Sequence, residues 1–357
     1  MTSRTRQVVL TGLALAGTMA VLAGCSAAPS TTTSAKKSDF LPCMVSDNGG
    51  FDDKSFNQLG LEGMQDAAKA IGSQYKQAES KDATVYTSNI QQLLGQKCKL
   101  IVTVGFNLAD ATKTQAKANP GTNFAIIDDN SITAKNVKPI TFDTSQAAFL
   151  AGYAAASYSK SGVVGTFGGM QIPTVTIFMD GFADGVKYYN QQKSKNVKVV
   201  GWNVDSQKGS FTGGFAAGTQ AKSVAQTLLD QNADVILPVG GPIYQSAAEA
   251  IKDANNGSVL IGADSDLYEA DPRYKSIALT SVEKGMRPAT KDVVEQAAKG
   301  NYSNTPYVGT LKNEGVGIAP FHDYASKVDK GLSKELDTIK SGIIDGSIKV
   351  ETKATVK

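Results

Sequence analysis

Carboxylates recur in this chain directly after short apolar runs. Asp47 follows CMVS and opens the stretch DNGGFDDKSFN. Asp128-Asp129 follow FAII, and Asp264-Ser265-Asp266 follow VLIGA. Another run ends in Ser281-Val282-Glu283-Lys284, and two more end in Gly105-Phe106 and Gly240-Gly241. If these runs are strands of open α/β sheets, their ends lie at the carboxyl edge, where such sheets bind ligands. A single Asp there reads most simply as a helix N-cap. The set together, with one lysine and several glycines, reads as a polar site. Carboxylates accept hydrogen bonds and cannot easily face an anion, so the set disfavours a free phosphate. It suits a ligand with hydroxyls and N–H groups, as in a ribose joined to a purine. Phe56, Phe106, Phe182, Phe211 and Trp202 are candidate stacking surfaces; base–aromatic stacking contributes roughly 1–3 kcal/mol per contact.

The elements that must position these residues alternate strand and helix. The pattern predicts strands at 41–46, 83–87, 100–105 and 124–128, with helices at 54–71 and 108–118. Asn119-Pro120-Gly121 stops the second helix. The same alternation restarts after a strand at 140–143. It predicts strands at 163–167, 197–204, 235–239, 259–264 and 277–282. Helices are expected at 145–159, 174–189, 218–229, 243–254, 285–298 and 327–344. Such βαβ order gives parallel sheets covered on both faces. About 318 residues after Asp39 exceed one usual core, so two doubly wound lobes are expected. Residues 40–142 and about 284–308 form the first lobe. Residues 143–283 and about 309–357 form the second. The chain should recross near 281–284 and again near 311–317, leaving a cleft that hinge motion closes.

The start of the chain is a processing signal. Arg4 and Arg6 precede an apolar run, Val8–Ala23, that ends in Leu22-Ala23-Gly24-Cys25. The run is short and rich in small residues, unlike a membrane span. Residues 1–24 read as a lipoprotein signal peptide and Cys25 as the acylated residue. Lipid chains there would anchor the protein, at about 0.8 kcal/mol per buried CH₂. Residues 25–39 read as a polar, flexible tether. The chain holds 36 basic and 33 acidic residues, with no basic block suited to nucleic acid. Cys43 and Cys98 begin the runs CMVSD and CKLIVTVG. On neighbouring parallel strands both thiols lie at one edge, and an exported compartment permits oxidation. A Cys43–Cys98 disulfide is the expectation; two free buried thiols are the alternative.

The stretch Asp47–Gln58 resembles the opening signature of the basic membrane protein family, which includes purine nucleoside receptor lipoproteins. AFLAGYAAA (148–156), VGTFGGM (164–170), GFADGV (181–186), ADVILPVGG (233–241), IGADSD (261–266) and TSVEKG (280–285) look like further family blocks. The resemblance implies a type I periplasmic-binding fold and nucleoside import with ABC transporter permease subunits as partners. It implies that Phe56 stacks on the base and that Asp47, Asn57 and Asp128 meet its edge or organise the pocket. Asp264 and Lys284 would hold the ribose, with Gly240 allowing close backbone approach. The segment Val239–Tyr244 departs from the commoner glycine-rich form at Pro242. The second stacking ring is therefore open among Tyr244, Phe182 and Phe211.

Two other functions are weighed. Asp47, Asp52 and Asp53 superficially resemble the calcium cluster of nucleoside hydrolases, but Val45 stands where another Asp is needed. His322 is the only histidine, which excludes a Ser-His or multi-His centre. No enzyme activity, cofactor or metal is expected. A surface lipoprotein that binds a nucleoside or sugar for sensing or adhesion keeps the same fold. One tryptophan in the chain argues against a sugar platform.

Overall fold

The computed structural model describes residues 38–354. The signal peptide, Cys25 and nearly all of the tether lie outside the described residues.

The first sheet is built from β1 (Pro42–Val45), β2 (Lys76–Ala78), β3 (Leu100–Val104), β4 (Asn123–Ile127) and β5 (Val137–Phe142). Helices α1 (Phe56–Ile71), α2 (Tyr86–Gly95) and α3 (Ala109–Ala118) connect them. The second half runs α4 (Thr144–Tyr158), β6 (Val163–Gly168), α5 (Pro173–Lys193) and β7 (Lys198–Val200). A hairpin of β8 (Trp202–Asn203) and β9 (Lys208–Gly209) follows. Then come α6 (Thr219–Asp230), β10 (Val235–Val239), α7 (Ile243–Ala254), β11 (Val259–Asp264), α8 (Leu267–Ala270) and β12 (Ala278–Lys284). The chain ends in α9 (Met286–Ala298), β13 (Tyr307–Gly309), β14 (Val316–Ile318) and α10 (Leu332–Asp345).

Two six-stranded sheets result, ordered β13-β5-β4-β3-β1-β2 and β14-β12-β11-β10-β6-β7. Every pairing is parallel except β12 with β14. The fold is α/β with two parallel-sheet lobes. Successive side chains of a strand face opposite helix layers. Met44 and Val102 enter one core, while Cys43, Val45 and Ile101 enter another. The chain passes between the sheets three times: after Phe142, after Lys284, and between Gly309 and Val316.

Small residues set how closely α4 and α5 approach. A Cβ on Gly152 would lie 2.0 Å from the Phe182 carbonyl oxygen, and one on Gly185 would lie 2.0 Å from that of Phe149. Any side chain at either position would push the helices apart. Cys43 and Cys98 are joined, with Cα atoms 5.9 Å apart. Cys98 sits two residues before β3, which pairs with β1.

Two elements differ from the sequence expectation. Residues 83–87 are not a strand: Ala83–Val85 form a 3₁₀ turn that leads into α2. The Asp82 carboxylate accepts the Thr84 N–H at 2.8 Å, and that cap outweighs the β-branched composition of the segment. The edge strand is β2 instead, a short polar segment without an apolar run. The strand expected at 197–204 is interrupted at Gly201, whose φ is +84°.

Candidate functional site

The carboxyl ends of β1, β3, β4, β10, β11 and β12 meet where the two lobes face each other. Seven of the residues singled out from sequence line one cavity there: Asp47, Phe56, Asn57, Asp128, Gly240, Asp264 and Lys284. Phe106, the remaining ring on the first lobe's side, lines it too.

The wall on the first lobe is a closed network. Asn57 stands in the first turn of α1. Its side-chain N–H donates to Asp47 Oδ1 at 2.7 Å and to Asp53 Oδ2 at 3.0 Å. Its carbonyl accepts the Asp47 backbone N–H at 3.0 Å. Asp53 caps the helix start, accepting N–H groups from Ser55, Asn57 and Gln58. Asp47 also accepts the Gly49 N–H at 2.8 Å. Burial nevertheless pushes the Asp47 carboxyl up to about 6; the bonds from Gly49 and Asn57 offset this only in part, and the charges of Asp53 and Asp128 add to it.

Lys284 links the lobes. Its Nζ donates to Asp128 at 2.5 Å and lies 3.4 Å from Asp264 Oδ1. Burial drives the ammonium pKa down, but the two carboxylates outweigh it and hold Lys284 above its ordinary value. Four carboxylates, Asp47, Asp53, Asp128 and Asp264, therefore line the cavity with one ammonium. Asp128 and Asp264 occupy matching places, one at the end of β4 and one at the end of β11. Both have left-handed backbone, with φ of +63° and +71°, a conformation Asp tolerates better than most residues. Asp264 Oδ1 is buried without a hydrogen-bond partner; at 3.4 Å the Lys284 contact is an ion pair rather than a well-formed bond. Hydrogen bonds also cross between the lobes, from Ser55 Oγ to the Ala263 carbonyl at 3.3 Å and from Ser265 Oγ to the Lys54 carbonyl at 3.0 Å.

The ring walls are Phe56, Phe106, Phe178 and Phe215. Lys284 Nζ lies 5.0 Å from the Phe56 ring centre and 5.2 Å from that of Phe178. Gly240, at φ +125°, faces Phe215: a Cβ there would sit 2.6 Å from the ring, so only glycine leaves the ring its place.

Four of the candidate rings, Phe182, Tyr244, Phe211 and Trp202, lie outside this cavity. Phe182 is fully buried in the core, with its backbone carbonyl facing Gly152 of α4. Phe178, one helical turn earlier, reaches the cavity instead. Tyr244 donates its hydroxyl to Asp271 at 3.0 Å and packs edge-on against Tyr274, within the core behind α7. Phe211 packs edge-on against Trp202. The sequence reading missed Asp53, Phe178 and Phe215. Asp53 lies inside the DNGGFDDKSFN stretch. Phe215 sits in an aperiodic loop, TGGFAAG, where nothing marks which ring turns inward.

Comparison with known proteins bears on what such a cavity serves. The family described as Bmp, ABC transporter substrate-binding protein PnrA-like, matches residues 40–354. The chain belongs to this family. Among its relatives is the ABC transporter nucleoside-binding protein BmpA of Lactococcus lactis, 32% identical over 98% of this chain and 99% of that protein. Basic membrane protein A of Borreliella burgdorferi is 30% identical over 84% of this chain and 85% of its own length. Among solved structures, an ABC transporter solute-binding protein from Aeropyrum pernix superposes with a TM-score of 0.77. It is 24% identical and covers 88% of this chain and 94% of its own. One from Conexibacter woesei gives 0.68 at 21% identity, covering 88% and 99%. Both share the two-lobed fold of solute-binding proteins. The family is one of substrate-binding proteins, so the cavity belongs to a binding protein of an ABC transporter.

Proposed function

We propose that this substrate-binding protein captures a purine nucleoside outside the cytoplasmic membrane and delivers it to the permease subunits of an ABC importer. The observation that carries the reading is Asp264 Oδ1, a buried acceptor without a donor, beside Lys284 in a cavity walled by four phenylalanines. Held only by the long ion pair to Lys284, this oxygen keeps bonding capacity that a ligand hydroxyl would fill. A ribose diol supplies that donor and accepts from the lysine. Phe56 and Phe215 then serve as faces for the base, and Asp47 and Asp128 as acceptors for its N–H edge. The surplus of carboxylates disfavours a phosphate group, and with it nucleotides. The relative in Lactococcus lactis is named for nucleoside binding, in agreement.

Closure of the lobes completes the site, because Lys284 and Asp264 come from the second sheet while Asp128 and Phe56 come from the first. Contacts made only in the closed form shift the population toward it, and that shape is what the permease would engage. The lipobox at Leu22–Cys25 supports attachment to the outer face of the membrane through acylated Cys25. Among the described residues no helix is long and apolar enough to cross a membrane.

Calorimetry with adenosine, guanosine, inosine, uridine and the corresponding monophosphates tests the reading. Purine nucleosides are expected to bind at micromolar Kd or tighter, about −8 kcal/mol or better, and monophosphates at least about a hundredfold more weakly. Absence of binding by every nucleoside, or tighter binding of monophosphates, would overturn it.

A further inference from the structure

The Phe215 wall is carried by an irregular loop, 209–218, and a fully buried carboxylate behind it needs an explanation. Asp180, in the middle of α5, is 0% exposed. Its Oδ1 accepts from Trp202 Nε1 at 2.9 Å and from Gln207 Nε2 at 3.1 Å. Its Oδ2 accepts from Thr352 Oγ1 and the Lys353 backbone N–H, both at 2.9 Å. The carboxylate thus ties the β8–β9 hairpin to a segment near the end of the chain. That segment is itself clipped to α5, where the Glu351 N–H donates to Asp184 at 2.8 Å.

The tie continues toward the cavity. Trp202 packs edge-on against Phe211, with ring centres 5.8 Å apart. Phe211 forms a bridge alongside Gly168 at the end of β6, and the Thr212 N–H donates to the Gly168 carbonyl at 3.0 Å. Three residues on, Phe215 faces Gly169 and Gly240. Between Asp180 and the cavity there is a continuous set of packed or bonded groups.

We infer that Asp180, closed over by Thr352 and Lys353, is a positioning residue for the ring wall that Phe215 gives the ligand's base. It touches no ligand; it fixes the loop that does. The effect should fall on the base half of the cavity and spare the Asp264–Lys284 half. The inference rests on the nucleoside reading for its ligand but not for its mechanics. Trp202, the only tryptophan in the chain, reports on both.

The test uses full-length Thr352→Val, which removes one strap hydrogen bond, Thr352→Ser, which keeps the hydroxyl, and Asp180→Asn. Hydrogen exchange over 209–218 and acrylamide quenching of Trp202 are measured without ligand. Adenosine and uridine affinities are measured by calorimetry. Thr352→Val is expected to speed exchange in the loop, raise quenching, and weaken adenosine about fivefold while uridine changes less. Thr352→Ser should restore all three, and Asp180→Asn should exceed Thr352→Val. Unchanged loop exchange in Thr352→Val and Asp180→Asn would overturn the inference. So would equal losses for adenosine and uridine, the mark of a general loss of structure. If wild-type protein binds no nucleoside, the functional reading fails, while exchange and quenching still decide whether the strap holds the loop.

Discussion

Asp47 and Asp264 are both buried carboxylates at strand ends, one in each lobe, yet their surroundings differ. Asp47 is embedded in a network with Asn57, Asp53 and the start of α1. Asp264 keeps one oxygen without a hydrogen-bond donor and shares Lys284 with Asp128. The first lobe offers a wall organised in advance. The second offers unused bonding capacity that a ligand can fill. A buried polar group left open is expensive, and each one in a native structure calls for a physical reason. On the proposed nucleoside reading the two carboxylates divide the labour: Asp47 lies on a preformed wall for the base edge, and Asp264 is left for the sugar.

The comparison breaks most visibly at Lys284. Lys284→Met leaves Asp128 and Asp264 as buried carboxylates with no ammonium. Breaking a buried pair this way costs about 3–5 kcal/mol. Calorimetry should show nucleoside affinity lost by a hundredfold or more, with a lower Tm. Next is Phe56→Ala, which removes a stacking face worth roughly 1–3 kcal/mol; adenosine should weaken about tenfold to a hundredfold, and ribose-modified analogues equally.

Asp264→Asn sharpens the division. Adenosine should weaken about tenfold, and its 2′,3′-dideoxy analogue hardly at all. Equal losses for the two would show that Asp264 does not read the sugar.

The smallest effect concerns pH. The Asp47 carboxyl is held near 6 in the folded protein, against an ordinary 3.8. The folded state therefore keeps a proton that the unfolded chain has released across that window. The stability this group contributes is full below about pH 4 and is lost as pH rises through about 6. Melting curves should show this contribution, worth about 3 kcal/mol at most, as a steeper slope in wild type than in Asp47→Asn, where the other raised carboxyls such as Asp53 and Asp128 remain. A ligand N–H donated to Asp47 favours the carboxylate, so adenosine affinity should rise up to about tenfold between pH 5 and pH 7.

Where local chemistry and tertiary packing agree, the sequence could be read directly. The runs at 235–239, 243–254 and 259–264 are the strands and helix expected there. The acidic strand ends were legible because a residue after an apolar run in a βαβ unit has only one edge to occupy. Residues 83–87 misled because Thr84, Val85, Tyr86 and Thr87 favour strands, whereas Tyr86, Ile90 and Leu93 supply the buried face of a helix. The rings were least legible. Phe178 and Phe182 lie one turn apart on α5 and both are buried, yet only Phe178 also lines the cavity, a difference that the helical spacing does not reveal. Phe215 has no periodic context, and its direction follows from glycines at 169 and 240 that are distant in sequence.

A crystal structure of the protein with adenosine tests the central claim most directly. The account predicts a ribose hydroxyl within about 2.5–3.0 Å of Asp264 Oδ1, with the purine between Phe56 and Phe215. A ligand whose base meets Asp264, or whose ribose lies against Asp47, would contradict it.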